Sequence, residues 1–252
     1  MNFPARALSR AGALRHLHGM ANLPDRPASA AVAAFLKQVE SLPAVKPGLH
    51  RPGRLLFAID ATASRQPSWD RACHLQAEMF RAAAAHGGLA VQLAYYRGYG
   101  EFAATPFLTD GAELARRMAG VACLGGRTQI GKVLAHALSE TARERVAALV
   151  FVGDAVEEAA DPLCHAAGQL GLRGTPVFAF QEGHDPAAAS VLRQIARLSG
   201  GAHRALDEGS AAALGELLRA VAVFAAGGRE ALSRLPGAVA RGLMAQLPAP
   251  GR

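Results

Sequence analysis

Three oxygen-bearing residues stand at every second position in this chain: Asp60, Thr62 and Ser64, separated only by Ala61 and Ala63. In an extended segment, residues two apart point the same way. The spacing therefore aims one carboxylate and two hydroxyls at a common point. The small alanines let the backbone curl around a small ion. Hard oxygen donors of this kind suit Mg²⁺, with Mn²⁺ a close second. A polar turn in which Asp60 caps a helix is the plainer account of the same residues.

The element that positions them is a short apolar run, Leu55 to Ile59, with the length and composition of a buried parallel strand. Ligands in open α/β sheets bind off the carboxyl ends of strands, and Asp60 lies just past this one. Downstream, strand-like runs at residues 89–96, 101–104, 146–152, 175–180 and 202–206 alternate with helical patterns at 67–86, 111–119, 130–143, 162–171, 186–199 and 210–225. The turn Arg97-Gly98-Tyr99-Gly100 is too short for anything but an antiparallel pair. Asp110 with Glu113 reads as a capping box, and Asp185-Pro186 as a helix start. Together these predict an α/β fold: a three-layer, doubly wound, Rossmann-like, mostly parallel sheet with one antiparallel edge strand.

Following the chain up and down that sheet brings two further segments to the Asp60 end. One is the loop Gly125-Gly126-Arg127-Thr128; the other is Gly153-Asp154 after the fourth strand. Asp60, Thr62, Ser64, Thr128 and Asp154 then offer two carboxylates and three hydroxyls. Such a set can hold one Mg²⁺ or Mn²⁺ and leave a coordination position open, since Mg²⁺ commonly keeps water or takes an outside ligand.

With these residues in place the chain resembles a von Willebrand factor A (VWA) domain carrying a metal-ion-dependent adhesion site (MIDAS). The family pattern Asp-x-Ser-x-Ser resembles Asp60-Ala-Thr62-Ala-Ser64, with Thr62 where the family usually has Ser. The distant loop Thr resembles Thr128, and the Gly/Asp loop resembles Phe151-Val-Gly-Asp154. The likeness covers residues 54–226. It implies a metal that binds a partner's Asp or Glu, with no catalysis of its own. Similar bacterial proteins work beside AAA+ ATPases or chaperone machines, which implies an adaptor role of that kind. The Ala, Arg and Gly bias suggests a GC-rich bacterial genome.

Rival readings rest on the same residues. A Mg²⁺-dependent phosphohydrolase of the haloacid-dehalogenase type also starts from an Asp after an apolar strand, but needs a second acid where Thr62 stands. Gly126 to Lys132 nearly spells a phosphate-binding loop, yet Val133 replaces the required Ser/Thr. Neither a nucleophile elbow nor a zinc spacing occurs. A metal-free scaffold with basic tails that contact nucleic acid is the third class.

Charge and composition bound the rest. The net charge is +7 over 252 residues, but residues 1–54 hold 8 Lys/Arg against 2 Asp/Glu and residues 227–252 hold 4 against 1, leaving the middle at −2. That argues against a basic groove and confines any nucleic-acid attraction to the tails. The domains expected are a basic extension with a short helix at 30–41 and a Pro/Gly linker (1–53), the VWA-like domain (54–227) and a C-terminal helix and tail (228–252). Three widely spaced cysteines without a Cys-x-x-Cys suit a reduced, cytoplasmic setting. The Arg-rich, acid-poor start also fits a mitochondrial transit peptide, and no apolar run reaches membrane-spanning length. Around the metal cluster, Tyr99, Arg97, Arg127 and Glu157 are the expected partner-binding rim. One of Tyr95 and Tyr96 is expected in the core by strand alternation.

Overall fold

The computed structural model describes residues 51–206 and 211–249. The helix expected at 30–41 and its linker lie outside the described residues. β1 (Gly53–Asp60) is fully buried from Leu55 onward. A strand covered on both faces needs apolar residues at every position rather than alternating ones. Leu55, Phe57 and Ile59 enter one core, and Leu56 and Ala58 the other.

The sheet has six strands: β1, β2 (Leu89–Arg97), β3 (Glu101–Ala104), β4 (Ala148–Gly153), β5 (Val177–Glu182) and β6 (Ala202–Leu206). Their order is β3-β2-β1-β4-β5-β6, all parallel except β3, which pairs antiparallel at the edge. One face carries α1 (Gln66–Ala83), α2 (Gly111–Ala119), α6 (Ala211–Arg234) and α7 (Ala238–Gln246), whose Trp69, Met118, Leu218 and Leu243 share a core. The other carries α3 (Ile130–Arg143), α4 (Ala160–Leu172) and α5 (Pro186–Ser199), through Leu134, Leu170 and Ile195. The three-layer, doubly wound architecture is the one the sequence pattern predicts.

Three details differ from expectation. β4 and β5 each begin two residues later than the apolar runs, at Ala148 and Val177. Val146 is still buried, but its carbonyl accepts the Thr175 hydroxyl instead of a ladder bond. Tyr95 and Tyr96 are both buried, on opposite faces. Alternation sends them apart as expected, but helices cover both sides. Glu113 does not close a capping box: Asp110 Oδ1 accepts the Ala112 N–H at 2.8 Å, while Glu113 pairs with Arg116 and Arg117. At Gly228 (φ 70°, ψ −167°) the span of α6 breaks into two helical segments, as the Gly227-Gly228 pair leads one to expect, and Leu232, Leu243 and Leu247 beyond it extend the same core.

Among the described residues no helix is long and apolar enough to cross a membrane. The strand order reverses at β1, between β2 and β4. Such a switch point opens a crevice at the carboxyl ends of the flanking strands. Asp60 closes β1 and Asp154 follows β4, so the crevice lies between them.

Candidate metal centre

Asp60 is the centre of the crevice. Its side chain has no exposure, at the end of a strand buried on both faces. Oδ1 accepts the Thr62 N–H at 2.7 Å, the Asx-type bond that turns the chain out of the strand. Oδ2 is buried with no hydrogen-bond partner. Burial pushes the Asp60 carboxyl above its ordinary range; the Thr62 amide and hydroxyl oppose this, and the charge of Asp154 adds to it. Beside it lies the Tyr96 hydroxyl, also buried, which makes no hydrogen bond of regular geometry but is close enough to Asp60 to help lower its carboxyl. Burial first, and then the charge of Asp60, hold that phenol well above its usual value.

Asp154 reaches the same place because Gly153 lets it. A Cβ on Gly153 would stand 2.8 Å from the Phe151 ring and 3.7 Å from Asp60 Cβ. Ser64 Oγ donates to Asp154 Oδ2 at 3.4 Å, a long bond. Thr62 is half-buried and Ser64 exposed, so the hydroxyls face the open side of the crevice.

Thr128 is placed by a reciprocal bridge. Its N–H donates to Glu157 Oε2, and the Glu157 N–H donates to Thr128 Oγ1, each at 2.9 Å. Its hydrogen bonds thus run to the β4–α4 loop that carries Asp154, not to either carboxylate. Glu158 accepts the Ile130 and Gly131 N–H groups at 2.7 Å each. Those are the α3 amides that a phosphate-binding loop would offer a nucleotide, and this chain fills them with its own carboxylate.

The rim residues separate into two kinds. Tyr99 is 84% exposed and Arg127 is also exposed. Arg97 is buried: it donates to the Ala122 carbonyl at 2.7 Å and pairs with Glu101 at 2.7 Å. Glu157 keeps its carboxylate on Thr128. The two loops interlock because Gly126 leaves no side chain: a Cβ there would lie 1.9 Å from the Gly98 carbonyl oxygen. Instead the Arg127 N–H donates to that oxygen at 3.1 Å.

Sequence reasoning passes over three residues that crowd this site. Arg65 is buried, with Glu182 at 2.6 Å and Asp154 at 3.6 Å. Gln129 is buried and donates to the Arg97 and Gly98 carbonyls, which leaves its Oε1 without a partner. Leu124 is 45% exposed, its N–H held by the Ala61 carbonyl. Position was the available signal for Arg65, the first charged residue after the motif. Among the described residues, no three His, Cys, Asp or Glu side chains gather as a metal-holding group. The set offered is two carboxylates with hydroxyls, and the partnerless Asp60 Oδ2 is the atom that fits a cation.

No family model matches the sequence, and no curated protein matches it. Solved structures do. A von Willebrand factor type A protein from Catenulispora acidiphila aligns with a TM-score of 0.52 at 16% identity, over 69% of this chain and 42% of that one. The SpRpn10 VWA domain aligns at 0.53 and 10% identity, over 64% and 90%. A D319A mutant of the PilB minor pilin from Streptococcus sanguinis aligns at 0.53 and 11%, over 76% and 65%. The chain thus spans less than two thirds of the first and third of these. With six strands in this order and one antiparallel edge, the chain has a von Willebrand factor A-like fold.

Proposed function

We propose that this chain is a metal-dependent protein-interaction module, in which Mg²⁺ or Mn²⁺ held by Asp60, Thr62, Ser64, Thr128 and Asp154 accepts an Asp or Glu from a partner. The observation that carries the reading is Asp60 Oδ2. A carboxylate oxygen buried at the sheet's switch point with no partner costs free energy, and a cation is the group that offsets it. When bound, the ion supplies a Lewis-acid position that exchanges water for a carboxylate.

The chain's own residues do the remaining work. The Thr62 N–H fixes Oδ1 and so directs Oδ2 into the crevice. Ser64 holds Asp154 across from it. The Thr128–Glu157 bridge ties the second loop to the third. Tyr99 supplies an exposed aromatic surface and Arg127 a positive charge toward an acidic partner. Arg97 and Glu157 support the rim from beneath. VWA-like folds commonly serve protein–protein interaction, and an AAA+ or chaperone machine is the partner class that the sequence resemblance suggests.

Calorimetry tests the site directly. One Mg²⁺ or Mn²⁺ is expected per chain, and none in Asp60→Ala. A partner captured in Mg²⁺ should be released by EDTA. Equal metal binding by Asp154→Ala removes Asp154 from the shell, and equal capture in EDTA overturns the reading.

A further inference from the structure

Arg65 follows the metal motif directly. The 3₁₀ turn Ala63–Arg65, closed by the Arg65 N–H on the Thr62 carbonyl at 2.9 Å, carries its side chain back into the protein, where it is 5% exposed. There the guanidinium is unevenly bonded. One terminal nitrogen donates to Glu182 Oε2 at 2.6 Å. The other stands 3.6 Å from Asp154 Oδ2, inside ion-pair range but beyond a good hydrogen bond. The Nε is buried with no partner. A buried guanidinium normally spends its donors in fork-shaped, two-point bonds to carboxylates. Here Glu182 anchors it, and Asp154 receives its charge without a close bond.

Asp154 Oδ2 is thus approached by two groups already: the Ser64 hydroxyl and the Arg65 guanidinium. A cation in the crevice would be a third, and would meet a fixed positive charge a few ångströms away. Resting on the metal reading above, we propose that Arg65 is a built-in competitor of the metal. Its guanidinium, anchored on Glu182, neutralises Asp154 in the metal-free protein and lowers the affinity of the crevice for a divalent ion. The surrounding charges show the same balance. Among these four groups, Asp60, Asp154 and Glu182 against Arg65 leave two negative charges, and the loss of Arg65 leaves three, with Glu158 a further negative charge near Tyr96. Two unit charges interact strongly at such separations even under a protein-like dielectric, so the loss of Arg65 should show in affinity.

Glu182 acts in the opposite sense. It holds the guanidinium back from Asp154. Once its charge is gone, Arg65 is released toward Asp154, and the metal should bind more weakly. Opposite signs at two residues in contact separate this role from a structural one, because damage to packing would weaken binding in both variants.

The test is Mg²⁺ calorimetry on the full chain, with bound Mn²⁺ counted by electron paramagnetic resonance. Arg65→Gln should tighten Mg²⁺ by about fivefold or more, Glu182→Gln should weaken it by roughly threefold, and Arg65→Lys should stay within about twofold of wild type. Unchanged or weaker binding in Arg65→Gln, in a chain that unfolds cooperatively, overturns the proposal while the metal reading stands. Should Arg65→Gln not fold, Glu182→Gln decides, and equal or tighter binding there overturns it. No metal bound by wild type or by any variant removes the metal reading itself, and the competitor with it.

Discussion

Two arginines lie at the ends of β1, Arg54 half-buried and Arg65 buried, and they are used differently. Arg54, near its start, is fully engaged. It donates to the Glu144 carbonyl at 2.6 Å and to Glu140 Oε2 at 3.1 Å, and its guanidinium stacks 3.8 Å over the Phe107 ring. Arg65, just past its end, has one short bond, one loose ion pair and one nitrogen without a partner. The same sheet therefore carries a saturated charge pair at its amino end and an unsaturated group of charges at its carboxyl end. Saturation is what a staple requires, since a buried charge left unbonded is costly. Incompleteness at the other end, with Asp60 Oδ2, Tyr96 Oη and Gln129 Oε1 also partnerless, is what a ligand site requires. Unmet polar groups cluster where something from outside is to be bound.

The sharpest way to break this contrast is at the staple. Glu140→Ala leaves the half-buried Arg54 without its nearer counter-charge. The expected cost is about 2 kcal/mol, below the full loss for a broken buried pair because Arg54 is only half-buried and keeps the Glu144 carbonyl, the Glu144 carboxylate at 3.5 Å and Phe107. Urea denaturation would measure it. Metal affinity should not change. A loss below about 1 kcal/mol would show that Arg54 is no more a staple than Arg65.

At the other end the sign should reverse. Asp60→Asn keeps an oxygen for the Thr62 N–H and replaces the partnerless anionic oxygen with a neutral amide. In EDTA this should stabilise the domain, by on the order of 1 kcal/mol. Mg²⁺ should stabilise wild type and leave the variant's melting temperature where it was, because binding to the native state alone raises stability. A variant less stable than wild type in EDTA would mean that Asp60 is satisfied in some way its hydrogen bonds do not show.

Tyr99→Ala probes the rim apart from the metal. At 84% exposure its removal should leave stability within about 0.5 kcal/mol and metal binding intact. Capture of a metal-dependent partner should weaken by roughly 1–2 kcal/mol, the usual cost of trimming an interface aromatic. Parallel loss of metal binding would place Tyr99 in the crevice rather than at its edge.

Most of the scaffold was legible in the sequence because its elements carry strong local signals. Ile130–Arg143 and Pro186–Ser199 have the expected bounds. Glu101–Ala104 was forced by a turn too short for a crossover. The meeting of Asp60, Ser64 and Asp154 followed from counting strand directions. What stayed hidden was the direction of long side chains. Arg97 reads as a turn residue and Arg65 carries no signal of its own, yet tertiary carbonyls and carboxylates draw both inward. Burial of both Tyr95 and Tyr96 depends on helices that arrive later in the chain. Gly227-Gly228 reads as a stop, and at Gly228 the backbone does leave the helix; what stayed hidden is that the apolar residues beyond it join the same core.

The smallest expected effect lies at the opposite edge of the sheet, where two arginines act on a half-buried histidine. His203 on β6 is held down to about 4, first by burial and then by the charges of Arg193 and Arg204. Its tautomer is set by a neighbour. The Gln181 amide donates its Nε2 hydrogen to the Asp185 carbonyl, so its Oε1 accepts, and His203 Nε2, 3.2 Å away, must donate. That bond fixes the tautomer, while burial and the two arginines favour the neutral ring. An unfolded chain takes up this proton near 6.5, well before the native one does. Stability from His203 is thus full above about 6.5 and drains as pH falls toward 4. Partial exposure limits the loss to roughly 1 kcal/mol between neutral pH and pH 4.5. His203→Gln keeps a donor for Gln181 and cannot titrate. Its urea stability should fall less than wild type over that range, by about that amount. Equal slopes for the two proteins would show that the arginines are screened from the ring. The contrast between charges that are saturated and charges that are left over would then hold only at the two ends of β1.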